Sequence, residues 1–167
     1  AEYCVSGSDP TPTISGTTSG TFSSTAGLSI NASTGEIDLS ASTAGTYTVS
    51  YLTSSNTCAV TGTFDVTITD DEDGTFTYAA TEYCKSGSNP TPTVTGTTGG
   101  TFSSTAGLSI NASTGEIDIA ASTAGTYTVS YLTSSNLCAV TGTFDVTITD
   151  DEDGTFTYAS AEYCVSG

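Results

Sequence analysis

The side chains with chemistry to offer in this 167-residue sequence are five cysteines and two acidic runs. The cysteines are Cys4, Cys58, Cys84, Cys138 and Cys164. The runs are Asp70-Asp71-Glu72-Asp73 and Asp150-Asp151-Glu152-Asp153. With no histidine in the chain, a Ser-His or Cys-His nucleophile has no base. The cysteines also lack the close spacing of a zinc site. In small, loop-rich units such thiols read as disulfides of an oxidising compartment. Two pairings fit the spacing. Cys4–Cys58 and Cys84–Cys138 would close each unit on itself and leave Cys164 for a partner beyond the sequence. Cys58–Cys84 and Cys138–Cys164 would instead staple neighbouring units. Spacing alone does not choose between them, although the first, which makes each unit stable by itself, is the one expected.

Four consecutive carboxylates repel one another unless water, salt or a cation screens them. Ca²⁺ takes 6–8 oxygen ligands at ~2.3–2.6 Å, so Asp70, Asp71, Glu72 and Asp73, and likewise Asp150, Asp151, Glu152 and Asp153, would need help from a neighbouring loop. The pattern is not an EF-hand, because with Gly74 at loop position 6 the first and last positions are Thr69 and Ala80. Two readings stand: a calcium site that stiffens a junction, or a solvated linker held extended by its own charge. Glu36 and Asp38, like Glu116 and Asp118, lie two apart on the outer face of a strand. That position offers no cleft to split their pKa values, and no catalytic residue is expected. Asn31 and Asn111 match a glycosylation sequon but read better as turn residues. Tyr47, Tyr51, Tyr78 and Phe64 could line a carbohydrate face, but their alternation with Thr places them in a core.

The elements that position these groups come from a repeat. Glu2-Tyr3-Cys4 recurs as Glu82-Tyr83-Cys84 and Glu162-Tyr163-Cys164, a period of 80 residues, and the two full copies differ at ten positions. Period-two alternation runs throughout and helical periodicity is absent. The clearest strand spans 59–69, with Val60, Phe64, Val66 and Ile68 inward. A second spans 45–51, with Tyr47, Val49 and Tyr51 on one face, and Ser54-Ser55-Asn56 makes the turn between them. Leu28–Ile30 and Ile37–Leu39 form a short hairpin around Gly35. Pro10 and Pro12 open an edge strand reaching Ile14. Tyr47 suits a tyrosine corner. Thr75–Tyr78 follows the acidic run and belongs to the next unit. The expected fold is all-β: tandem immunoglobulin-like β-sandwich repeats of 80 residues, one disulfide each. The expected boundaries are 1–73 (a unit without its first strand), 74–153 (a complete unit) and 154–167 (the opening of a third).

The runs Gly27-Leu28 to Gly35-Glu36-Ile37 and Ala44-Gly45-Thr46-Tyr47, together with Tyr3-Cys4, Pro10-Thr11-Pro12 and Thr57-Cys58-Ala59, resemble bacterial immunoglobulin-like, cadherin-like repeats. Such repeats occur in very large Bacteroidota surface adhesins, including the gliding type. The resemblance implies an Ig-like sandwich, export to the cell surface, and a cysteine pair joining the start of one strand to the start of the last. The acidic junction departs from that pattern.

A net charge of −17, with Lys85 the one basic residue, excludes nucleic-acid partners and attraction to anionic membranes. No stretch is apolar enough for a spanning helix, and an export signal is expected elsewhere in a precursor. The expected role is a non-enzymatic, secreted or cell-surface link in a stalk, filament or giant adhesin, with neighbouring copies of the repeat as partners. Its competitors are a multivalent module binding a glycan or surface, and a fibre subunit that packs laterally or exchanges Thr75–Tyr78 between chains.

Overall fold

The computed structural model describes residues 1–55, 57–135 and 137–158. All of its regular elements are strands. In the first unit β1 (Glu2–Cys4), β2 (Gly20–Ser24), β3 (Ser29–Ile30), β4 (Ile37–Asp38), β5 (Gly45–Thr53) and β6 (Thr61–Thr69) build one sheet in the order β1-β6-β5-β2, plus the hairpin β3-β4. The strand β7 (Phe76–Thr77) follows. Then come β8 (Glu82–Cys84), β9 (Thr93–Val94), β10 (Thr101–Ser104), β11 (Ser109–Ile110), β12 (Ile117–Asp118), β13 (Gly125–Leu132) and β14 (Thr141–Thr149). They repeat the four-stranded order as β8-β14-β13-β10 and the hairpin as β11-β12.

Alternation explains these sheets. In β6, Val66 and Ile68 turn inward and pack with Ile37, Leu39 and Tyr47. Their partners across the antiparallel ladder are Tyr47 for Val66 and Gly45 for Ile68. The short strand β1 adds in parallel, with Cys4 opposite Thr69. Parallel pairing requires a long return path, and the whole unit supplies it. The tyrosine corner is present: the Tyr47 hydroxyl donates to the Thr43 carbonyl at 2.7 Å, and Tyr127 repeats this on Thr123 at 2.9 Å. Asn31 acts as the turn residue of its hairpin, its Oδ1 accepting from Ser33 N and Thr34 N. Gly35 there has φ +74°, where a Cβ would also strike the Phe22 ring.

The units differ at the strand that completes each core. β7 pairs antiparallel with β9, Phe76 opposite Val94. Its inward residue Phe76 and Tyr78, just after it, are both buried. Phe76 meets the rings of Phe102, Tyr131 and Phe144 at centroid distances of 5.4, 5.9 and 6.2 Å. Tyr78 lies 5.7 Å from Phe144 and donates to the Gly115 carbonyl at 2.5 Å. In the first unit no described strand occupies this place. There Phe64, the counterpart of Phe144, is 61% exposed. Val49 and Tyr51 are half-buried, whereas Val129 and Tyr131 are buried. The inward placement expected for Phe64 and Val60 therefore fails: Val60 is 65% exposed. Alternation gives the face of the strand but not whether anything covers it. The edge strand expected to reach Ile14 forms only at its counterpart β9, where β7 supplies a ladder partner.

Truncating a buried Phe costs about 3–5 kcal/mol. Phe76→Ala should destabilise the second unit by that order in urea unfolding and leave the first unit's transition unmoved. A change within error in the second unit would contradict its role in that core. Burial pushes the Tyr78 phenol well above its ordinary 10.0, with the nearby Tyr83 adding to the effect. The folded form thus holds this proton more tightly than the unfolded chain. Its contribution is complete below about pH 10 and is lost as pH rises further. The second unit's melting temperature should fall above that pH, less steeply in Tyr78→Phe, and an identical slope in both proteins would refute this.

Candidate functional site

Some of the residues that sequence reasoning singled out, Asp70 to Asp73 with Cys4 and Cys138, meet at the segment between β6 and β7. Three of the four acidic side chains there engage different donors. Asp71 accepts from the Ser6 hydroxyl at 2.8 Å, tying the loop after β1 to the end of β6. Glu72 donates its N–H to the Cys138 carbonyl at 3.0 Å, and its Oε2 accepts from Ser135 N at 2.9 Å. Asp73 Oδ1 accepts from both the hydroxyl and the N–H of Thr75. Those two bonds, the hydroxyl first, hold its carboxyl below the usual range. Its backbone exchanges hydrogen bonds with Thr97, N–H to Oγ1 at 3.1 Å and carbonyl from N–H at 2.6 Å. Gly74 is buried where the chain crosses β14, and a Cβ on it would lie 2.7 Å from Gly142 N. Asp70 stays exposed.

The turn between β13 and β14 thus presses onto the junction, and a disulfide is made there. Cys4 bonds Cys138, 134 residues away, with Cα atoms 5.4 Å apart. The expected pairs Cys4–Cys58 and Cys84–Cys138 are not formed, and Cys58 and Cys84 are exposed free thiols. The reason is geometric. Cys4 sits opposite Thr69, at the C-terminal end of β6, while Cys58 lies in the turn that precedes Thr61. A nine-residue strand separates them by roughly 30 Å, and a disulfide needs Cα atoms within about 7 Å. Cys84, opposite Thr149, is equally remote from Cys138. The rival pair Cys58–Cys84 would have to join the two ends farthest from the junction. Cys164 lies outside the described residues, as does Asn56 of the expected turn.

In the second acidic run, Asp150 forms an ion pair with Lys85 at 2.9 Å. Asp151 accepts from Ser86 N and Oγ at 3.1 and 2.7 Å. Asp153 accepts from Thr155 N, and this bond, then the Thr155 hydroxyl, lowers its pKa. Glu152 is exposed. Among the described residues, the three potential ligand atoms that come within 4.8 Å of one another belong to Cys4, Asp71 and Cys138, and both sulfurs are spent in the disulfide. The strand carboxylates act locally: Asp38 accepts from Ser40 Oγ and Ala41 N, which hold its carboxyl low.

A second feature lies where the expected boundaries leave the first unit without its first strand. Beside β6 of the first unit lies an open groove of about 630 Å³, lined by Pro12, Phe22, Ile37, Val49, Tyr51 and Phe64 among others. It corresponds to the slot that Phe76 and Tyr78 fill in the second unit. The signal for it was in the period: Thr75-Phe76-Thr77-Tyr78 completes a sandwich other than the one whose last strand precedes it. Ser135 and Thr97, which receive the junction, carried no signal because they are ordinary loop residues.

No protein-family model and no curated protein matches the chain. Among solved structures, it is similar to a SusE-like surface-located polysaccharide-binding protein of Bacteroides thetaiotaomicron. That match has 17% identity over 78% of this chain and 29% of that one, with a TM-score of 0.38. It is also similar to mouse protocadherin-24 EC1-3, at 15% identity over 90% of this chain and 61% of that one, TM-score 0.37. A third similarity is to human protocadherin-24 EC1-2, at 12% identity over 80% and 82%, TM-score 0.36. The chain spans less than two thirds of the first two solved chains.

Proposed function

We propose that the chain is a rigid link of an extracellular, non-enzymatic array in which successive β-sandwiches are locked end to end. The observation that carries this reading is the Cys4–Cys138 bond between the two units. One covalent tether, the backbone 70–74, would leave a swivel. A second tether, with Glu72 bonded to the opposing turn and Asp73 to Thr97, opposes rotation about the first. A structural disulfide favours an oxidising, extracytoplasmic setting. The charge of −17 keeps such arrays soluble and unattracted to nucleic acid. No helix among the described residues is long and apolar enough to cross a membrane.

The test removes one tether. In the Cys4→Ser, Cys138→Ser double variant, melting should drop by an amount corresponding to about 2–5 kcal/mol. Small-angle scattering should change from a single extended shape to a distribution of bend angles. Scattering identical to that of the oxidised protein would defeat the reading. A calcium-stiffened junction is read by the same melts. Because Asp71, Glu72 and Asp73 each hold protein donors, the expectation is a melting temperature unmoved by calcium or chelator. A rise with calcium and a fall with chelator would make the ion part of the link.

A further inference from the structure

We propose that the open groove of the first unit is the acceptor site for residues Thr155–Tyr158 of a second copy of this chain, and that Cys84 of the donor then bonds Cys58 of the acceptor, giving a head-to-tail, strand-exchanged fibre. This rests on the rigid-link reading, since it extends the same junction from within a chain to between chains.

Four observations converge. First, the groove and its complement are already seen together once. Phe22, Tyr51 and Phe64 match Phe102, Tyr131 and Phe144, the rings that receive Phe76. The sequence that fills the slot, Gly74 to Tyr78, recurs unchanged as Gly154 to Tyr158. There Phe156 and Tyr158 are 78% and 75% exposed, against 4% and 5% for Phe76 and Tyr78. Second, the donor is preset: Asp153 accepts from Thr155 N at 2.9 Å, as Asp73 does from Thr75 N. Third, the chain crossing is prepared. Gly74 and Gly142 approach so closely that neither could carry a Cβ, whereas their counterparts Gly154 and Gly62 have nothing within 4 Å of the Cβ position. A residue larger than glycine would fit there in the isolated chain; only a crossing strand excludes it.

Fourth, the covalent lock has matching halves. Cys4–Cys138 joins the first cysteine of one unit to the second cysteine of the unit that follows it. The same rule pairs Cys84 with the Cys58 of an acceptor unit, and these are the two exposed thiols among the described residues. Ser55 Oγ already accepts from Cys58 N at 3.0 Å, as Ser135 Oγ does from Cys138 N. Ser55 N thereby takes the position that receives Glu152 in place of Glu72. Bond formation is thiol–disulfide exchange with a small-molecule disulfide such as oxidised glutathione. Two S–H bonds break, one S–S bond forms, and the two electrons and two protons leave with the oxidant as two thiols. Residues 154–158 cannot reach the groove of their own chain. The nine residues of β14 carry its end roughly 30 Å from the junction, and the seven residues from Thr149 to Phe156 span at most about 25 Å.

The experiment mixes ¹⁴N- and ¹⁵N-labelled full chain in a glutathione redox buffer. Light scattering follows assembly, and non-reducing gels with peptide mass mapping follow the bonds. The expected result is a ladder of oligomers whose new bond is Cys58–Cys84, with mixed-isotope cross-links. The double variant Phe156→Ala, Tyr158→Ala changes residues exposed in the free chain, so folding is spared. It should weaken association by at least about tenfold. An excess of a peptide of residues 153–158 should cap growth, and Cys84→Ser should leave oligomers that detergent separates. Monomers with both thiols free, or cross-linking indifferent to Phe156 and Tyr158, would overturn the proposal. So would a monomer whose groove instead binds oligosaccharide, or native fibres that reductant leaves as one long polypeptide whose preceding segment fills the groove. Monomers that retain Cys4–Cys138 and a fixed bend would reject strand exchange while leaving the rigid link standing; loss of that bond rejects the link itself.

Discussion

Phe76 seated among Phe102, Tyr131 and Phe144 is the contact on which the rest of the molecule depends. The strand that carries it is continuous with the last strand of one sandwich and finishes the core of the next. Once Phe76 and Tyr78 are in, Gly74 must cross Gly142, and the β13–β14 turn must lie against the acidic run. Glu72 then caps that turn through Ser135, and Cys138 is delivered to Cys4. Packing of one aromatic side chain thereby sets the geometry of a covalent bond between units. Each step is short-range.

The acidic run is best understood through this docking. Four adjacent carboxylates would splay in water; here Asp70 stays exposed and the other three meet separate donors: Asp71 meets Ser6 in its own unit, Glu72 the opposing turn, Asp73 the start of β7. Charge that repels along the chain is thus used on both sides of the seam. Screening at physiological salt, with a Debye length of about 8 Å, softens what repulsion remains. Lys85, standing where the first unit has Val5, adds one exposed pair with Asp150, of a kind worth about 0–1 kcal/mol.

Much of this was legible in the sequence because it is local. Alternation placed Tyr47, Val66 and Ile68 in the core, Asn31 in its turn, and Thr75–Tyr78 in the unit after the acidic run. The disulfide was not legible. Spacing orders cysteines along the chain, whereas pairing depends on which end of a sheet each occupies. The parallel addition of β1 to β6 puts Cys4 at the end opposite Cys58. Phe64 was misread for a related reason: the period of a strand says which way a side chain points, and only tertiary structure says whether another strand lies over it. The groove is the spatial counterpart of the expected boundary, in which 1–73 is a unit without its first strand; what the sequence left out was its lining and depth.

The central claim is that an arriving strand, rather than anything within the unit's own sheet, closes each core. Amide hydrogen exchange followed by NMR in dilute, monomeric chain tests it most directly, because 61–69 and 141–149 share one sequence and differ only in what covers them. The account predicts markedly faster exchange around Phe64 than around Phe144, with the gap closing when the 153–158 peptide is added. Equal protection in the two strands without peptide would contradict it.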